Sequence, residues 1–205
     1  DAINNHLYYG VHKEGECWAF REYAPNATAI YVVGDFNGWK RLPEYMMQNI
    51  GGGNWELKLP SDKVKHGDLF KWHVCWNGGE GERLPSYATR CVQDKKTYLF
   101  SAQVWQPQNP YEWKHKFAKR VDNPLIYETH IGMAGEELAV ATFKNFTRNV
   151  LPHVARMGYN TLQIMALQEH PYYGSFGYQV SNFFALSSRF GTPEEFKELV
   201  DTAHS

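Results

Sequence analysis

In the second half of the chain two places set a carboxylate within two residues of an imidazole: Glu169 directly precedes His170, and Glu128 lies two residues before His130. A carboxylate beside an imidazole is the material of general acid and base chemistry, provided both groups reach the same bond. Neighbouring residues on an extended chain point to opposite faces, so Glu169 and His170 are read as a structural or supporting pair. Glu128 and His130 would share one face of a strand. Neither pair makes a metal centre without further ligands. The other signal is aromatic. In HPYYGSFGYQVSNFF (170–184) the rings of Tyr172, Tyr173, Phe176, Tyr178, Phe183 and Phe184 alternate with Gly174 and Gly177, without a single Asp, Glu, Lys or Arg. Large amphipathic rings build cores, and they also stack on the apolar faces of flat ligands such as sugars and bases. The two glycines would let the backbone turn and approach closely.

The whole chain narrows these options. Its 205 residues suffice for one large domain or two small ones, and 43% hydrophobic with 21% charged residues is an ordinary globular composition. Twenty-one Lys and Arg against twenty-two Asp and Glu leave a net charge of -1, which offers no basic field to a nucleic acid. The aromatic fraction is 16%, including seven Trp, and sugar stacking needs no cationic field. Cys17, Cys75 and Cys91 lack CxxC spacing, so neither a disulfide framework nor a zinc site is indicated, and a reducing compartment is the simpler expectation. No apolar stretch approaches the roughly 18–20 residues of a membrane span, and the N-terminus lacks a signal-peptide plan. A cytoplasmic location is expected, with no membrane partner.

The elements that must position these groups fall into two patterns. From Tyr8 to Trp105 the chain runs in short alternating segments broken by turns. ECWAFREYA puts Trp18 and Phe20 on one face, NWELKLP alternates Trp55, Leu57 and Leu59 with charges, and LFKWHVCW alternates Phe70, Trp72, Val74 and Trp76 with Lys71 and His73. With turns at APNA, GDFNGW, GGGN, HGD and NGGEGE, the outline is an antiparallel β-sandwich over 1–105, with Trp18, Trp55 and Trp72 in its core. Residues 106–123 carry no period and read as a linker. From 124 to 205 the pattern is strand (PLIYETHIG), helix (TFKNFTRNVLPHVARMG) and strand (TLQIMAL), a βαβ unit with parallel strands. Thr142 is its expected helix cap, Gly158 its stop, and Pro152 is expected to kink it unless it opens a new turn. A last helix begins at Thr192, with Pro193 in its first turn and Phe196, Leu199, Val200 and Ala203 as its buried stripe. A βαβα segment has too few strands to cover a parallel sheet, so this second domain looks truncated.

The stretches YGVHKEGECWAFREYAPNATAIYVVGDFNGW, PLIYETHIGM and FTRNVLPHVARMGYNTLQIMALQEHPYYGSFGYQVSNFFALSSRFGTPEEFKELVDTAHS closely resemble the 1,4-α-glucan branching enzymes of the α-amylase superfamily. GDFNGW alone points only to a glycogen-binding β-sandwich; the run from Asn160 to Ser205 resembles the branching enzymes specifically and is closer to their eukaryotic-type members. The resemblance implies a multidomain fold: an immunoglobulin-like β-sandwich of carbohydrate-binding family 48, then the first two βα units of a (β/α)8 TIM barrel. It also implies a retaining mechanism, in which carboxylates about 5–5.5 Å apart cleave an α-1,4 bond and the chain is passed to a 6-hydroxyl. In the family's order those carboxylates lie past Ser205, so no catalytic residue is assigned here and the chain alone is expected to be inactive.

By the same resemblance Tyr178 stacks on the sugar at the cleaved position, and Gln179 orients the loop or the substrate. Tyr172, Tyr173, Phe176, Phe183 and Phe184 are expected to pack the loop in place, and Glu128 and His130 to support the floor of the site. In the sandwich, Trp39 of FNGW and Lys71 match the residues that hold a glucan, with an interdomain or turn-packing role as the alternative for Trp39. The second Trp of some such modules has no clean match, since NGGEGERLPSY fills its place. The implied partner is an α-1,4-glucan such as glycogen; no cofactor and no metal is implied, and a monomer is favoured. Two other classes remain open. One is a stand-alone glucan-binding module; the other is a debranching hydrolase of the same superfamily.

Overall fold

The structure is a computed structural model that describes residues 2–205. Its contacts resolve two compact units, one running through Gln108 and including Asn182–Ala185, the other formed by Asn109–Ser181 and Leu186–Ser205.

The first unit follows a short helix α1 (Asn5–Tyr8) with two antiparallel sheets. One has the order β1 (Gly10–Glu14), β2 (Cys17–Tyr23), β5 (Asn54–Pro60), β4 (Gln48–Gly51). The other has the order β3 (Ala27–Gly34), β6 (Leu69–Trp76), β9 (Phe100–Gln103), β8 (Cys91–Gln93), with β7 (Gly79–Arg83) also paired to β6. Strand alternation sends Trp18 and Phe20, Trp55 and Leu59, Ile30 and Val32, and Phe70 and Trp72 into one shared core. Phe20 bridges the sheets there, its ring edge-on to Phe70 at 5.7 Å and to Trp72 at 6.1 Å. The three tryptophans expected in the core are thus buried.

Alternation is broken in β2, which also buries Arg21 and Glu22. Charge survives there because each group is paired. Arg21 donates to Glu14 at 2.7 Å and to Glu56 at 2.8 Å. Glu22 accepts from the Trp72 indole and from the Ser86 backbone N–H, both at 2.9 Å.

In the second unit, residues 109–125 carry no helix or strand. Strand β10 (Ile126–Thr129) then pairs in parallel with β11 (Thr161–Ile164), Ile126 opposite Thr161 and Thr129 opposite Ile164. The intervening helical run has three parts: α2 (Phe143–Asn145), a π-turn (Phe146–Val150) and α3 (Leu151–Arg156). Thr142 caps it by accepting from the Asn145 backbone N–H, and Gly158 ends it at φ 90°. Pro152 sits in the first turn of α3, and the π-turn immediately before it adjusts the ladder to the missing donor. Phe143, Phe146, Ile131, Phe190 and Leu199 form a second core.

The last helix, α4 (Pro193–His204), starts as its sequence predicts, with a Thr192–Glu195 capping box. Its inner face differs. Leu199 is buried, Phe196 and Val200 are half-buried, and Ala203 is exposed, while Asp201 is 1% exposed. The cause is a polar anchor: Asp201 accepts from the Tyr111 hydroxyl at 2.6 Å and from the backbone N–H groups of Lys114 at 3.0 Å and His115 at 2.7 Å. Burial opposes ionisation of that carboxyl, but these donors outweigh it and bring its pKa down to about 2. Among the described residues no helix is long and apolar enough to cross a membrane.

Candidate functional site

The sandwich carries a cleft built by the turn that follows β3. Gly34 must lack a side chain, because a Cβ would stand 2.5 Å from the Leu69 carbonyl oxygen. Asn37 closes the turn, accepting from the Gly34 N–H at 3.0 Å and donating to the Val32 carbonyl at 2.9 Å. Gly38 and Trp39 then both take the left-handed conformation, at φ 63° and 62°. A tryptophan held there is strained by roughly 1–2 kcal/mol relative to glycine. Asp35 aims its ring: one carboxylate oxygen accepts from the Trp39 indole at 3.0 Å, the other from the Leu69 N–H at 2.8 Å.

Trp39 and Lys71 come from separate elements and line the same cleft of ≈ 730 Å³, together with Asp35, Glu82 and the 94–97 turn. That size suits a small ligand or an oligomer segment. Lys71 stands 3.5 Å from Glu82 across the β6–β7 ladder. Asp94 knots the turn, accepting from the backbone N–H groups of Thr97 and Lys96 at 2.8 Å each, which hold its carboxyl below the usual range. The lining carries Lys71, Lys95 and Lys96 against Asp35, Glu82 and Asp94. Three cations against three carboxylates leave no net field, so the cleft suits a neutral ligand with many hydroxyls better than an anion. Donors and acceptors flank one exposed ring face, the usual equipment for a sugar.

Tyr178 and Gln179 lie in the other unit, both on the surface, with Tyr178 66% exposed. The loop that carries them is pinned from within. Glu169 and His170 are fully buried, and Glu169 spends its carboxylate on the backbone N–H groups of His170 at 3.1 Å and Ser188 at 2.8 Å. A carboxylate so occupied is structural, as expected for this pair. His130 bonds through Nε2 to the Phe176 carbonyl at 2.8 Å, whereas Glu128 is exposed. The expected shared face fails because β10 stops at Thr129 and His130 already leads into the Ile131–Met133 turn.

Backbone strain gathers around Tyr178. Ala166 (φ 50°), Phe176 (φ 54°) and Gly177 (φ 83°) are all left-handed, and a Cβ on Gly177 would meet the Ala166 carbonyl oxygen at 2.8 Å. The ring-packing expectation needs correction. Tyr172 at 67% and Phe183 at 69% are exposed, and Tyr173 is the ring that turns inward, near His170 and Phe176. Phe176 and Phe184 are each 46% exposed, although Phe184 packs against Tyr87 in a tilted arrangement with ring centroids 4.9 Å apart. Short stretches between glycines and strained residues cannot turn every ring to one side.

Sequence reasoning left out Asp35, Glu82 and Asp94. Asp94 had a local signal, since DKKT is a turn in which Asp caps a Thr three residues on. Glu82 had none; only the β6–β7 register brings it to Lys71.

The family profile of carbohydrate-binding module 48 (isoamylase N-terminal domain) matches residues 8–88, which contain Trp39 and Lys71. Over 96% of its length the chain is 41% identical to the 1,4-alpha-glucan-branching enzyme of Yarrowia lipolytica, and over its whole length 40% identical to that of Saccharomyces cerevisiae. It spans 30% and 31% of those two proteins. Among solved structures it superposes on a putative alpha amylase from Salmonella typhimurium with a TM-score of 0.78 at 22% identity, covering 96% of this chain and 31% of that one. A pullulanase from Paenibacillus barengoltzii, crystallised with maltotriose, gives 0.76 at 19% identity, covering 100% of this chain and 38% of that one. Residues 8–88 therefore belong to the carbohydrate-binding module 48 family, and the chain as a whole is a homologue of the 1,4-alpha-glucan-branching enzymes.

Proposed function

We propose that this chain is the glucan-recognising part of a 1,4-α-glucan branching enzyme, and that an α-1,4-glucan lies in the sandwich cleft across the Trp39 ring. The observation that carries this is the convergence of Trp39 and Lys71 on one charge-balanced cleft, with the indole aimed by Asp35. Strain at Trp39 is then offset by what the ring does for the ligand. Residues 124–205 are read as the first two βα units of a (β/α)8 barrel, since a parallel strand pair with a helical crossover is how such a barrel begins. In that frame the strained loop after β11 presents Tyr178 to the sugar at the cleaved bond, with Gln179 beside it.

The parent enzyme cleaves an α-1,4 chain by a retaining route, through two carboxylates about 5–5.5 Å apart, and transfers it to a 6-hydroxyl. This chain alone is expected to form no α-1,6 linkages; Glu169, the carboxylate closest in sequence to Tyr178, is buried and already engaged, so it does not supply one of that pair. Titration with maltoheptaose followed by indole N–H resonances tests the binding claim. The Trp39 signal is expected to move while those of buried Trp18, Trp55 and Trp72 stay. A Trp39 signal that does not respond removes the cleft as the glucan site. Detection of α-1,6 branches made by the purified chain would overturn the inactivity claim.

A further inference from the structure

One cluster in the sandwich lies outside the lining of the glucan cleft, on the same face of β6 as Lys71. His73 and Cys75 point to the same face of β6, two residues apart, and the hairpin register sets Glu80 of β7 opposite Cys75. The His73 Nε2 lies 3.2 Å and the Cys75 Sγ 3.6 Å from the same oxygen of Glu80, and the three ligand atoms all fall within 4.8 Å of one another. Around a tetrahedral ion with Zn–N and Zn–O of about 2.0–2.1 Å and Zn–S of about 2.3 Å, donor atoms stand roughly 3.3–3.6 Å apart. The spacing already approaches that of a coordination shell.

A cation occupies the locus in another form. Arg41 reaches the same Glu80 oxygen at 2.8 Å and the His73 Nε2 at 3.1 Å. A guanidinium only donates, so Nε2 faces two incompatible neighbours. With a proton it serves Glu80 and opposes the Arg41 N–H; without one it accepts from Arg41 and opposes the carboxylate. Every tautomer of neutral His73 leaves one repulsive pair. A divalent ion accepts all three donors at once and releases Arg41, whose side chain is 49% exposed, to solvent.

We propose that His73, Cys75 and Glu80 form a three-ligand site for a zinc-class divalent ion, with a fourth position open to water. The thiolate and imidazole select zinc or cobalt over magnesium or calcium, which take oxygen ligands. Arg41 competes with the ion for Glu80.

Cobalt(II) is the probe, titrated into the purified chain under reducing conditions. One ion per chain is expected, with a thiolate-to-cobalt charge-transfer band in the near ultraviolet that added zinc abolishes. Cys75→Ser is expected to lose the band and Glu80→Gln to weaken zinc binding at least about 100-fold, the loss that even outer-shell changes can reach. Arg41→Ala, at an exposed position, is expected to tighten binding and serves as the variant least able to disturb folding. The proposal is overturned if the wild-type chain shows no charge-transfer band, if Cys75→Ser keeps it, if Arg41→Ala weakens binding, or if two chains share one ion.

Discussion

Trp39 offers a perturbation whose effects on binding and on folding separate. The residue is 38% exposed, and a full Trp surface is about 250 Å², so some 95 Å² remain to be covered by a ligand. At about 25 cal/mol per Å² that is at most ~2.4 kcal/mol, and ~1.2 kcal/mol if a sugar covers half of it. Removing the ring should therefore raise the Kd for maltoheptaose roughly 7- to 50-fold. Two substitutions do this with different consequences for the backbone. At φ 62° a Cβ is penalised, so Trp39→Gly is expected to be more stable than Trp39→Ala by about 1 kcal/mol. Isothermal titration and urea unfolding measure the two quantities. Equal loss of affinity in both variants, with Gly the more stable, is the expected result. The sugar-platform reading fails if either variant binds within twofold of wild type, or if affinity follows stability instead of the ring.

Gly34→Ala should destabilise the sandwich by about 3 kcal/mol and lower its melting temperature, because the new methyl meets the Leu69 carbonyl oxygen, a backbone atom that cannot step aside. Tyr178→Ala should change stability by no more than about 0.5 kcal/mol, since the ring is 66% exposed, and should remove any maltoheptaose binding that persists in a Trp39→Gly background. Asp201 makes the second unit sensitive to acid. With a folded pKa of about 2, against roughly 3.9 when unfolded, its stabilisation is complete above pH ~4 and is lost as pH falls toward 2. Hydrogen exchange at the Lys114 and His115 amides should report that loss, and Asp201→Asn should weaken their protection at neutral pH and flatten the acid dependence.

The partly legible features share a property: each depends on residues near one another in sequence. Strand alternation placed Trp18, Phe20, Trp55 and Trp72 in the core, and the caps at Thr142 and Thr192 follow from side chains three residues from their donors. The inner face of α4 did not follow from its apolar spacing, because Asp201 is held by Tyr111, Lys114 and His115, some ninety residues earlier. Nor did the direction of each aromatic ring in the 170–184 loop, which depends on where Ala166, Phe176 and Gly177 turn the chain.

The sequence by itself determined an antiparallel sandwich followed by a parallel strand pair, along with a resemblance resting on local motifs. Trp39, Lys71, Tyr178 and Gln179 could be named on that resemblance because each sits inside a short recognisable run. Only the tertiary structure decided that Trp39 and Lys71 line one cleft with Glu82 and Asp94, and that His73, Cys75 and Glu80 converge on one point. The physical reason is register. Which residue of β7 stands opposite which residue of β6 is set by the hairpin and the whole sheet together, and a slip of one position would send Glu80 and Glu82 to the other face, away from Cys75 and Lys71.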